Sequence, residues 1–417
     1  MKKVVLLLAG AVVIACASAA PSAEGADPVF LRDDPAVRIA LGTSTKPVQL
    51  SGTSDWRIYN RTRDRYLATG KAGESISIEL SGGRMRTMRA NGRASDRLAG
   101  PFLVRSLSPD GFLVFNKKKY RGEITLNVTD SGMLVVNRLQ MEAYLRGVVP
   151  LEIGKRTREE LAAVQAQAVA ARSYSYSHIG NTTRSFDMFA TVQDQVYGGV
   201  DAETPLTDEA IRSTAGMVLK YGGRVLANTP YSSTCGGSTA ATSEVWWKEP
   251  DQPFLQRVSD RIPGTDKYYC DPSPRFRWTQ SFTGDELSTV ISKYLASYTN
   301  APKGELGRVR MVRELGRTES DRVRALEIST ERGTYTLRAN DIRFVLRTPS
   351  GVTLNSTYFT TQVVAGPSGV QQLTLTGRGY GHGIGMCQWG AIGRARAGQD
   401  YKTILTTYYR GTTVERI

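Results

Sequence analysis

The chain has 417 residues and a mass of 45.6 kDa, and its 40% hydrophobic and 22% charged content excludes collagen-like and disordered classes. With 54 Lys or Arg against 39 Asp or Glu, the net charge of +15 favours a polyanionic partner without naming it. Close to half of that excess falls within residues 51–130, but without the aromatic pattern of a nucleic-acid module, so no nucleic-acid partner is expected.

Lys2 and Lys3 precede an apolar run from Val4 to Ile14, too short to span a bilayer but of the right length for an export signal. Ala17-Ser18-Ala19 offers an ordinary cleavage site, giving a signal peptide over 1–19. Val13-Ile14-Ala15-Cys16 instead resembles a lipobox in which Cys16 would carry a lipid anchor, and the two readings stay open. Either one exports the chain to the periplasm or cell envelope, and no later run is apolar enough for a transmembrane helix. Residues 20–36 then read as a polar spacer.

Short alternating segments follow. Val37, Ile39 and Leu41, then Ile76, Ile78 and Leu80, then Ile124, Leu126 and Val128 have the period of half-buried strands, so residues 37–130 read as a basic β-rich accessory segment. Thr157 with Glu160 forms a capping box before a helix predicted over 158–177, which is filled by Ala162, Ala163, Ala166, Ala168, Ala170 and Ala171 and stopped near Gly180. Gly222-Gly223 between two apolar runs predicts a hairpin, and strands are expected again near 322–328, 334–338 and 373–376. Strands, one long helix and more strands predict an α+β fold, with mixed β-rich domains around one long Ala-rich helix.

Zinc-protease, P-loop and serine-hydrolase signatures are absent, and only two His occur. The run from Gly377 to Gly385 places Gly at every second position, which strips side chains from one face so that a ligand or another backbone can approach. Gly377-Arg378-Gly379-Tyr380-Gly381-His382-Gly383-Ile384-Gly385-Met386-Cys387-Gln388-Trp389-Gly390-Ala391 closely resembles the C-terminal signature of the stage II sporulation protein D and amidase enhancer family. Tyr144 to Glu152, followed by Gln165 to Tyr174, resembles that family's N-terminal signature, and Asp194 to Gly198, Cys235-Gly236-Gly237 and Cys270-Asp271 agree in order. The resemblance covers roughly residues 130–417, and residues 131–417 are therefore read as the catalytic domain.

The resemblance implies a lytic transglycosylase that cuts peptidoglycan glycan strands after N-acetylmuramic acid and leaves 1,6-anhydro ends. A non-catalytic, glycan-binding enhancer of a cell-wall amidase is the alternative. Glu152 matches the family's catalytic acid, although Ile153-Gly154 replaces the usual Met-Pro and predicts a looser loop. Such an enzyme manages with one carboxyl group, because the attacking 6-hydroxyl belongs to the substrate and effective molarity replaces a bound water. No cofactor is required for that chemistry.

Gln167, Arg172, Gln195, Tyr197, His382, Gln388 and Trp389 are the candidate substrate-binding residues: amides for sugar hydroxyls, a guanidinium for an acetyl or lactyl oxygen, flat rings for pyranose faces. Plainer readings are a salt bridge for Arg172 and core packing for Trp389. The glycine run would leave His382 unshielded and suited to binding, while His178 would support a helix end. Cys235, Cys270 and Cys387 are an odd set for an oxidising compartment. They imply either a disulfide with one leftover thiol or, with His382 as fourth ligand, a structural Zn2+ site.

Overall fold

A computed structural model describes residues 34–62, 65–180, 183–226 and 228–417; the expected signal segment, Cys16 and most of the spacer lie outside the described residues. The fold is α+β, as the element order predicts. Among the described residues no helix is long and apolar enough to cross a membrane.

The N-terminal half is built from two sheets. The larger runs in the order Met188–Phe189, Ala36–Ser44, Gly132–Gln140, Glu123–Thr129, Phe102–Ser106, Trp56–Asn60 and Arg65–Gly70. The smaller has Arg84–Arg89, Ile76–Ser81, Val48–Gly52, Leu113–Phe115 and Lys118–Tyr120. The alternation read from sequence sets the inward face: Val37, Ile39, Ile76, Ile78, Ile124 and Leu126 are all fully buried. Residue 130 lies in the turn of a hairpin whose strands pair Glu123 with Arg138, and Gly132–Gln140 also pairs with Ala36–Ser44. One core therefore continues from the β-rich half into the segment that carries the motifs.

Thr157 and Glu160 close the expected capping box, each side chain meeting the other's backbone N–H, and a short 3-10 turn leads into the helix Leu161–His178. It ends two residues before Gly180, which sits at φ +85°. Its alanines let neighbours pack on several sides: the helices Pro205–Ser213, Gln388–Arg396 and Tyr401–Tyr408 and the strand Met217–Tyr221 all contact it. That strand turns through Gly222-Gly223 into Arg224–Val225, and its other edge pairs with the C-terminal strand Thr413–Arg416.

Residues from about 278 to 375 form a second, separate core around Phe282, Leu287, Ile291, Leu326, Ile328, Leu337, Leu373 and Leu375. Two three-stranded sheets and the helix Gly284–Tyr294 enclose it. From there the glycine run returns to the first core. It hydrogen-bonds with 230–235 in register: Thr234 and Tyr380 exchange both backbone bonds, and Tyr231–Ser232 runs parallel to Met386–Cys387. The alternate glycines thus admit another backbone. A Cβ on Gly385, at φ +68°, would stand 2.0 Å from the Pro230 carbonyl oxygen, and one on Gly383 would meet the Arg322 guanidinium at 2.3 Å.

Candidate active site

Glu152 sits in the last turn of the short helix Val149–Ile153, which starts at Val149-Pro150 and ends on Gly154 at φ +75°. The expected loosening at Ile153-Gly154 does not appear. Gly154 adopts a conformation that favours glycine, its N–H donates to the Pro150 carbonyl at 3.1 Å, and Arg156 Nε donates to the Ile153 carbonyl at 2.9 Å.

One oxygen of Glu152 is fixed and the other is free. Oε1 accepts the Val196 N–H at 2.9 Å, while Oε2 has no hydrogen bond among the described residues and keeps contact with solvent. Burial raises the Glu152 pKa above its ordinary 4.5, and the Val196 N–H, which favours the carboxylate, opposes this only in part. A half-buried carboxyl with a raised pKa and one open oxygen can hold a proton and deliver it outward.

Most of the expected sugar contacts lie beneath this carboxyl and not beside it. Gln388 Nε2 donates to the Glu152 backbone carbonyl at 3.0 Å and to Gln167 Oε1 at 3.1 Å, so the long helix and the glycine-run motif are both tied to the acid's helix. Gln167 is fully buried, and its Nε2 has no hydrogen-bond partner among the described residues. Gln195 Oε1 accepts from the Tyr144 and Ser175 hydroxyls at 3.1 and 3.0 Å, and its Nε2 donates to the Tyr231 hydroxyl at 3.2 Å. Tyr197 is buried against Tyr120 and Tyr144, and its hydroxyl donates to Asn137 Oδ1 at 2.9 Å. These side chains form the floor that positions Val196 and Glu152.

Arg172 is not a substrate clamp here. Fully buried, it donates from Nε and Nη2 to both carboxylate oxygens of Glu142 at 2.7 Å, and from Nη1 to the Met217 carbonyl at 3.0 Å. All its directional capacity is spent inside the core.

His382 differs from expectation as well. Its Nδ1 accepts the Ile384 N–H at 3.0 Å, which assigns the proton to Nε2, and Nε2–H donates to the Tyr231 carbonyl at 2.9 Å. Trp246 packs on its ring at 5.5 Å, and burial together with the Arg343 cation lowers its pKa to about 4. Both ring nitrogens are therefore committed, and the imidazole is neutral at neutral pH. His178 sits in the last turn of the long helix, where Nδ1 bonds the Tyr174 carbonyl at 2.7 Å.

Trp389 is the candidate ring that reaches the surface. It is half-buried, with the Arg156 guanidinium 5.1 Å from its ring centre, and with Glu152 and the exposed Leu151 it supplies accessible groups at this edge. The cavity lined by Trp246, Trp247, Phe254, Asn340, Asp341 and Phe344, of about 670 Å3, lies elsewhere and is not lined by Glu152.

Cys235, Cys270 and Cys387 converge as free, buried thiols, with Cys235 Sγ 3.7 Å from Cys270 Sγ. Their fourth companion is Asp260, and His382 is not among them. Sequence reasoning missed Asp260 because it stands 25 residues beyond Cys235 and 10 before Cys270, with no close ligand spacing to mark it.

Comparison with known proteins agrees with the motifs. The stage II sporulation protein family model matches residues 129–221, and a model described as a domain of unknown function (DUF8618) matches 263–385, which contains the second core. An uncharacterised protein of Brachyspira hyodysenteriae is 33% identical over 73% of this chain and 74% of its own length. The amidase enhancer of Bacillus subtilis is 30% identical over 65% of this chain, which spans 40% of that protein. The stage II sporulation protein D of Bacillus subtilis is 28% identical over 67% of this chain and 75% of its own length. The chain belongs to the stage II sporulation protein D and amidase enhancer family. The family model covers the acid's helix and the long helix, while Gln388 and Trp389 lie beyond the matched segments.

Proposed function

We propose that this protein cleaves peptidoglycan glycan strands as a lytic transglycosylase, with Glu152 as its acid. Family membership supports a cell-wall-related function, and the state of Glu152 carries the finer reading: a carboxyl raised in pKa by burial, fixed at Oε1 and open at Oε2. Protonated Glu152 would donate to the glycosidic oxygen as the bond to C1 breaks. The resulting carboxylate would take the proton of the muramic acid 6-hydroxyl as that oxygen bonds to C1, which closes the 1,6-anhydro ring and restores the acid. The Val196 N–H would stabilise the carboxylate between the two transfers. Trp389 would offer its face to a pyranose ring, and the net positive charge would draw the chain to acidic wall polymer.

The similarity to a protein named amidase enhancer supports a second reading, in which the same edge grips glycan and aids an amidase without cutting. Mass spectrometry of glycan strands after incubation separates the two. Anhydro ends from wild type, reduced by about 10^2–10^4 in Glu152→Gln, are expected for the enzyme. Strands left intact by a wild-type protein that still sediments with them would reject it.

A further inference from the structure

The cysteine cluster is a separate matter from the acid. Its four ligand atoms, one from each of Cys235, Asp260, Cys270 and Cys387, lie within 4.8 Å of one another, and all four residues are buried. Thiolates on a tetrahedral Zn2+ at about 2.3 Å stand about 3.8 Å apart, close to the 3.7 Å between Cys235 and Cys270 Sγ. A disulfide needs about 2.05 Å and would pair only two of the three sulfurs.

The carboxylate is oriented for a ligand. Asp260 Oδ1 is occupied by the Tyr408 hydroxyl at 2.6 Å and by Arg394 Nη2 at 3.1 Å, while Oδ2 faces Cys235 Sγ at 3.3 Å. Outer partners of this kind fix a metal-binding carboxylate. Cys387 Sγ accepts the backbone N–H of Cys235 and of Gly390, both at 3.2 Å, as a thiolate would.

Charge gives the independent observation. Arg322 is fully buried, donates from Nη2 to the Cys235 and Ser238 carbonyls at 3.0 and 3.1 Å, and has Nε and Nη1 without hydrogen-bond partners among the described residues. Among the described residues it makes no salt bridge; Glu244 and the Cys235 and Cys387 sulfurs are the negative groups that act on it, and a buried cation needs such counter-charge close by. Three thiolates and one carboxylate carry four negative charges; a divalent ion cancels two, and Arg394 and Arg322 cancel the others.

We propose that Cys235, Asp260, Cys270 and Cys387 form a closed structural Zn2+ site, with Asp260 in the place expected for His382. The ion would join the 230–240 segment, the Asp260 loop, the Cys270 turn and the start of the helix Gln388–Arg396. The next residue after Cys387 is Gln388, which holds the acid's helix, so the site would brace the floor under Glu152 whatever that acid does.

The test uses exported full-length protein purified without chelator. Elemental analysis is expected to find one Zn2+ per chain, exchange into Co2+ to give thiolate charge-transfer bands, and chelation to lower the melting temperature. Asp260→Asn should reduce the bound metal, and His382→Gln should retain it; the wild-type Co2+ spectrum stands even if either variant fails to fold. Less than a tenth of an equivalent of metal, both as purified and after incubation with Zn2+ and reductant, would overturn the proposal. So would an intact mass two hydrogens light from a disulfide, or metal lost by His382→Gln but kept by Asp260→Asn.

Discussion

Replacing Arg172 by Met is expected to destabilise the fold and leave the affinity for glycan unchanged. The substitution strands Glu142, 3% exposed, with only the Gly216 N–H at 3.2 Å among the described residues for its carboxylate, and removes the donor to the Met217 carbonyl. Breaking one side of a buried ion pair costs about 3–5 kcal/mol, against a total stability of roughly 5–15 kcal/mol. For a cooperative unit of 150–250 residues this lowers the melting temperature by roughly 6–20 °C, as circular dichroism would read it. Adding Glu142→Leu to Arg172→Met should recover much of the loss, because two apolar side chains leave no stranded charge. A single variant that melts like wild type yet binds glycan strands less tightly would refute this account and return Arg172 to the substrate.

Glu152→Gln is expected to raise the melting temperature at neutral pH. The folded pKa of Glu152 lies above its unfolded value, so the group favours the folded state at low pH and loses that contribution as pH rises through the folded pKa. The gain from Gln should vanish below about pH 4, beneath the ordinary glutamate pKa; a gain that persists there would point to another cause. Cleavage that depends on protonated Glu152 should fall as pH rises through the same raised pKa, and a profile flat from pH 4 to 9 would contradict the assignment. Gly385→Ala, with φ +68° and a Cβ 2.0 Å from the Pro230 oxygen, should cost more than the ~1–2 kcal/mol of the backbone conformation alone, read by denaturant unfolding. Tyr197→Phe strands the buried Asn137 acceptor and should cost about 1–3 kcal/mol of stability with KM unaltered; a raised KM at unchanged stability would restore its expected place at the sugar.

The long helix was legible because its signals are local: a capping box, alanines and a terminal glycine all lie within residues 157–180. The strands around 37–41, 76–80 and 124–128 were legible for the same reason, through period-two alternation, although Val128 at the end of the last is exposed. What could not be read was which side of a residue faces substrate. Arg172 and Gln195 look like sugar ligands in one dimension, and their partners Glu142 and Tyr231 are 30 and 36 residues away. His382 looked unshielded because glycines flank it, yet those glycines are what let the 230–235 backbone close over it. Asp260 carried no signal at all, since its role depends on Arg394 and Tyr408 more than 130 residues later.

The choice of attacking group can be argued from the carboxylates that remain free. Water attack would need a second carboxylate near the acid to remove a proton. Asp194 is the neighbour in the same loop, two residues before the Val196 N–H that holds Glu152, but Oδ1 accepts the Tyr174 hydroxyl at 2.9 Å and Oδ2 the Phe189 N–H at 2.7 Å. Glu142 is locked to Arg172, and Asp208 is paired bidentately with Arg146 at 3.0 and 2.7 Å. Among these buried or half-buried carboxylates the open oxygen is Glu152 Oε2. An acid whose buried carboxylate neighbours are all paired suits a substrate that brings its own nucleophile, and the products decide: anhydro ends should persist in Asp194→Asn if the protein folds, whereas reducing ends that disappear with Asp194 would make it the missing base and the reaction a hydrolysis.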